Sequence, residues 1–233
     1  MSIDGPDEEI HNTQRPGLTK NYDNFKDVKA ALETLSEEKK RRNLAFPYIV
    51  PLSCVTMYNI DYVTDLYKFT SQYADAQIFY LTWWIDSHSA QAHTEDFERR
   101  FGFKPQTHYG WIGTWKDFDH GVILDKFAEM EKLSKLQQRC PPMMMPTLNT
   151  REEINRYYTD HSEVFDYNQC VSIYMTMEID SNGDVSLCRD YHDYIIGNIK
   201  NDSVMDIWNN NKARKFRSSI STEGPMPVCR RCC

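Results

Sequence analysis

The sequence predicts an α/β protein in which a parallel sheet with helices outside it is followed by a small α+β unit made of a β-hairpin and a helix. Two patterns lead there. Short apolar runs alternate with stretches of helical periodicity through residues 1–140. An Asn-Gly turn between alternating residues then precedes a capped helix near the C-terminal end. Composition agrees, since 233 residues with 40% hydrophobic and 13% aromatic content suffice for a sizeable core.

Taken in order, "KNYDNFKDVKAALETLSEEKKRR" sets Phe25, Val28, Leu32 and Leu35 at helical steps with a basic end. "FPYIVPLSCVT" is too short for a helix and reads as a buried strand. In "NIDYVTDLYKFTSQY" helical spacing returns behind Asn59 as a cap, and "AQIFYLTWWI" reads as a second buried strand. Such alternation argues for crossover units and a site at the strands' C-terminal ends. Two more helices are expected, from "AHTEDFERRFG" and from "KDFDHGVILDKFAEMEKLSKLQQR". The irregular "PQTHYGWIGTW" between them either lines a pocket or packs Trp111 and Trp115 on a neighbouring helix. In the same region His88, His93 and His108 could donate hydrogen bonds, and Asp86 at a strand end is a positional choice for a base.

"CPPMMMPTLNT" breaks the pattern with three prolines and is read as the boundary between a first unit, 1–140, and a second, 141–233. In the second, "SIYMTMEIDSNGDVSLC" reads as two strands joined through Asp180, Ser181, Asn182 and Gly183. "SVMDIWNNNKARKFRSSI" reads as one helix capped by Ser203.

A formal net charge of −7 offers no general attraction for phosphate backbones or anionic lipids, so nucleic acid is not an expected partner. No run approaches the roughly 20 apolar residues of a membrane span, and no signal segment is visible, so the chain is read as cytoplasmic. In that compartment seven cysteines argue for metal ligation rather than disulfides. Cys54 and Cys140 stand alone and read as buried thiols. Cys170 and Cys188 flank the hairpin and Cys229 and Cys232 form a terminal Cys-x2-Cys. Four thiolates suit zinc or an iron-sulfur cluster, and spacing alone does not decide between them. The seventeen residues between Cys170 and Cys188 depart from a two-knuckle zinc ribbon and favour a cluster. Cys233, adjacent to Cys232, is read as spare.

The run Cys-x12-Gly-x4-Cys, the Gly-Asn step, "IWNN" with a following "FR", and "CRRC" together resemble the SPASM or twitch auxiliary-cluster region of radical S-adenosylmethionine enzymes. "SIDGPDEEIHNTQRPG" resembles the fourth strand and following turn of that family's partial (βα) barrel. The resemblance implies a barrel-like parallel sheet over 1–140 and an auxiliary 4Fe-4S cluster on Cys170, Cys188, Cys229 and Cys232. It also implies that Ser2 and Asp4 face S-adenosylmethionine, with Arg15 near its carboxylate.

The family's Cys-x3-Cys-x2-Cys loop occurs nowhere in the sequence, so the chain is not expected to cleave S-adenosylmethionine on its own. What is expected instead is the C-terminal half of an oxidoreductase or modifying enzyme. Its partners would be a complementing N-terminal half or a redox protein, and a peptide or small-molecule substrate. The other reading is a stand-alone iron-sulfur or zinc protein without catalysis. An unpaired "SIDG" edge would favour homo-oligomers.

Overall fold

The computed structural model describes residues 1–19, 22–113, 115–165 and 168–232. Its elements are α1 (Glu8–Gln14), α2 (Asn24–Arg41), β1 (Leu52–Val55), α3 (Val63–Thr70), β2 (Gln77–Leu81), α4 (Ser87–Phe101), α5 (Val122–Gln137), β3 (Pro142–Met145) and α6 (Arg151–Thr159). There follow β4 (Glu178–Ile179), β5 (Asp184–Ser186), β6 (Gly197–Asn198), α7 (Val204–Asn209) and α8 (Asn211–Glu223). The chain forms two compact units that are discontinuous in sequence, 1–82 with 114–158, and 83–113 with 159–233.

In the first unit β1, β2 and β3 form a parallel sheet in that order, so the mixed α/β reading holds. Burial along β2 alternates, with Gln77, Phe79 and Leu81 inward. That is a half-buried strand, not the continuous apolar run read from the sequence. The N-terminal segment runs parallel to β1 through a single bridge from Ser2 to Leu52, with the Ile3 N–H donating to Leu52 O at 2.9 Å.

The proline-rich stretch read as a boundary is instead the third strand. Pro142 is its first residue and Pro146 lies just beyond its end, places where a missing N–H costs no ladder bond. On α2 the inward stripe is Leu32 and Ser36, whereas Leu35 is exposed and Phe25 and Val28 are half-buried. Helix α6 had no counterpart in the sequence reading; it buries Ile154, Tyr157 and Tyr158.

In the second unit Asp86 caps α4 by accepting the Ser89 N–H at 2.6 Å. Burial alone would raise this carboxyl, but its bonds from Ser89 hold it below the usual range, so Asp86 is committed as a cap. Ala90, Phe97 and Phe101 of α4 share one core with Ile173, Val185, Leu187, Ile207, Phe216 and Val228. Trp111 packs against that core.

The hairpin is shorter than its alternation suggests. Residues Ser172–Tyr174 form a 3-10 turn, and the first strand shrinks to Glu178–Ile179. Only Gly183 of the turn has a positive φ, +85°, and it closes the Asp180–Gly183 turn by donating to Asp180 O at 3.0 Å. Asp180 itself accepts the Asn182 and Asp184 N–H groups at 2.7 and 2.9 Å, which braces the turn. A Cβ at Gly183 would sit 3.0 Å from Asn198 Oδ1.

The expected single helix after Ser203 is two. Asn210, extended at φ −71° and ψ 171°, ends α7 and caps α8 by accepting the Ala213 N–H. No helix among the described residues is long and apolar enough to cross a membrane.

Candidate metal centre

The second unit brings three chain segments toward one another. Cys170 lies two residues before the first residue of the 3-10 turn Ser172–Tyr174, and Cys188 lies two residues beyond β5. Cys229 and Cys232 sit on and after a 3-10 turn, Pro227–Arg231, in which Cys229 N–H donates to Met226 O and Cys232 N–H to Cys229 O. Helix α4 packs against that turn, and Cys170, Cys188 and Cys229 pack on the edge of the unit's core.

The thiols perturb one another electrostatically. Burial pushes the Cys229 thiol up to about 12, and negative charge on Cys188 and Cys170 pushes the same way while Arg100 opposes it. Burial also raises Cys232, with Cys229, Asp190, Cys188 and Cys170 all adding to the shift. Cys188 is pushed up to about 11 by burial, partly offset by N–H groups of Asp190 and Tyr191 directed at its sulfur. Without a cation Cys188, Cys229 and Cys232 stay protonated, since each ionisation is opposed by the low dielectric and by neighbouring negative charge. A bound metal would reverse that balance and deprotonate them. The donor set therefore fits a thiolate-ligated centre. Metal uptake is expected to release protons and to speed up as pH rises from about 6.5 to about 8.5, measurable by stopped-flow absorbance in weakly buffered solution.

Among the described residues no three His, Cys, Asp or Glu side chains are gathered closely enough to hold a single metal ion. Cys233 lies outside the described residues. Cys54 and Cys140 are elsewhere, in the first unit, both pushed up to about 11 by burial. Cys140 is buried as read, whereas Cys54 is only partly buried.

The N-terminal trio is arranged differently. Asp4 is 2% exposed. Its carboxylate accepts the Cys54 N–H at 2.7 Å and pairs with the Arg15 guanidinium, while its own N–H donates to His11 Nδ1 at 3.1 Å. Asp4 and Arg15 are thus brought together as an ion pair whose arginine is the more open partner, and Ser2 contributes its bridge to Leu52.

Several residues around the thiols carried no clear signal in the sequence. Arg100 on α4 donates to Gly224 O at 2.9 Å and pairs with Asp96 at 2.8 Å, fixing the exit of α8 ahead of Cys229. Arg231, 2% exposed, donates to Asp160 O at 2.5 Å and to Glu163 O at 3.1 Å, with its guanidinium 5.3 Å from the Trp84 ring centre. His93 is fully buried 4.7 Å from the His108 ring centre, and among the described residues neither of its nitrogens has a hydrogen-bond partner. His108 bonds Ala90 O and Thr94 Oγ1 at 3.2 and 3.1 Å.

Residues 170–233 match the SPASM family, an iron-sulfur cluster-binding domain. Comparison with curated protein sequences finds no significant match.

Proposed function

We propose that an auxiliary [4Fe-4S] cluster is held by Cys170, Cys188, Cys229 and Cys232, and that the chain is the C-terminal part of a radical S-adenosylmethionine oxidoreductase or modifying enzyme. The observation that carries this reading is that all four cysteines lie inside the segment that matches an iron-sulfur cluster-binding domain, with Cys170, Cys188 and Cys229 packed against one core. When bound, such a cluster supplies one-electron transfer or a site that orients substrate.

In this reading the thiolates bind the cluster, backed by the core that includes Val185, Leu187 and Val228. The N–H groups of Asp190 and Tyr191 favour the thiolate at Cys188, and Arg100 favours it at Cys229. In the first unit, S-adenosylmethionine would meet Ser2 and Arg15 at the N-terminal segment, with Asp4 acting by holding Arg15. These residues are assigned no cleavage of S-adenosylmethionine by themselves, because the sequence contains no Cys-x3-Cys-x2-Cys. That step needs a complementing radical half, and the auxiliary centre needs a redox partner. The same missing motif supports a second reading, a stand-alone cluster or zinc protein used for electron transfer or structure.

Anaerobically purified protein is expected to be brown, to absorb broadly near roughly 400 nm and to hold about four irons per chain. Colourless protein with one tightly bound zinc would overturn the cluster and its redox role while sparing the four-thiolate site.

A further inference from the structure

Of the four thiols, Cys170 has the least secure support. The residues beside it are open to solvent, with Val171, Tyr174 and Met175 at 61, 52 and 74% exposure. The hairpin does not hold it either, because β4 begins only at Glu178. Within 168–177 the hydrogen bonds among described residues are local, from Tyr174 N–H to Val171 O and from Met175 and Thr176 N–H to Ser172 O. The Ile173 side chain enters the core and Cys170 and Met177 pack against its edge, while Arg217 of α8 supplies the hydrogen bond from the body of the unit to this backbone.

Arg217 acts as a strap. Its Nε donates to Ile173 O at 2.9 Å and its Nη1 to Trp208 O at 2.8 Å, while the guanidinium lies 3.9 Å from the centre of the Trp208 ring. One planar group thus ties the segment carrying Cys170 to the end of α7 and to α8. A lysine could reach one carbonyl but could not span both while stacking on the indole. By contrast, Cys229 and Cys232 sit on a turn covered by α4 and fixed by Arg231, and Cys188 follows a paired strand.

We propose that Arg217 is the positioning residue for Cys170, deciding whether the fourth thiolate joins the other three. Its link to iron rests on the cluster reading given above; its hold on Cys170 does not. The test therefore has two arms.

In metal-free full-length protein, alkylation of each cysteine is followed by mass spectrometry. Arg217→Ala should speed modification of Cys170 about tenfold or more, the factor expected from loss of a charge-assisted hydrogen bond, and leave Cys188 and Cys229 unchanged. Arg217→Lys should fall between Arg217→Ala and the parent. Equal Cys170 rates in all three proteins would overturn the proposal, as would a uniform rise at every cysteine, which would show that the whole unit had loosened.

In iron-loaded protein, Arg217→Ala should reproduce Cys170→Ala. Both should lower iron from about four toward about three per chain and give the paramagnetic signal of an oxidised three-iron cluster, and the double variant should lose nothing further. An Arg217→Ala protein with the parent's iron content and spectrum would overturn the link to the fourth ligand. If the parent binds no iron, the cluster reading falls, and the alkylation rates still decide the role of Arg217.

Discussion

Replacing Cys188, Cys229 or Cys232 with alanine is expected to remove most of the iron and nearly all of the broad visible absorption, whereas replacing Cys54 or Cys140 should leave both intact. The first three sit where burial and mutual repulsion act together. Removing one leaves a cluster corner without its thiolate. Cys54 and Cys140 belong to the other unit. Cys140 is 1% exposed at a positive φ of 51°, with its carbonyl accepting the Tyr67 hydroxyl at 2.7 Å. Loss of that thiol should cost stability on the order of 1–3 kcal/mol and no iron. Iron assay and circular dichroism melting on the same samples separate the two outcomes. Iron loss on changing Cys54 or Cys140 would contradict the assignment of ligands.

The second large effect is on acid stability. His93 and His161 are buried, and burial is the largest cause that lowers each to about 4 from an ordinary value of 6.5. At His93 the charge on His108 and Arg100 adds to the lowering, against Asp193 and Asp96; at His161, Arg231 and Arg230 oppose Asp86. As pH falls below 6.5 the unfolded chain takes up these protons before the folded one does. Each histidine's contribution is therefore whole above about 6.5 and drains away toward about 4. The loss amounts to on the order of 3 kcal/mol per histidine across that window. Metal-free protein should show a steep drop in melting temperature between about pH 6.5 and 4.5, and His93→Phe should flatten it. An unchanged slope in that variant would mean that His93 is protonated without cost.

How much of this was legible in the sequence depended on whether the signal was local. The parallel α/β sheet could be read because strand length and capping residues are written in neighbouring positions. Strand β3 could not, because Pro142 and Pro146 look like breakers unless one knows that they fall at a strand's two ends. The single helix after Ser203 was misjudged because Asn210, flanked by Asn209 and Asn211, can cap as easily as continue, and tertiary context chose the cap. Arg217, Arg231 and Arg100 were invisible as clamps, since each bonds to backbone oxygens from residues 9 to 124 positions away or beside it, and carbonyls have no sequence signature. "FR" was noticed only as part of a resemblance; its bond to Ile173 O supplies a physical use for the arginine.

The discontinuous second unit bears on synthesis and on cloning. Helix α4 leaves the ribosome long before Val228, yet Ala90, Phe97 and Phe101 bury against residues translated only at the end. During that interval its apolar face lacks most of its native partners, which makes the nascent chain a client for chaperones in proportion to how slowly the last stretch is made. The same dependence governs truncation. A clone begun at residue 170, the first residue of the family match, would carry all four proposed ligands and lack α4 and its share of the core. Such a fragment is expected to aggregate or to lose iron during purification, whereas one begun at residue 83 retains both strands of sequence from which the unit is built.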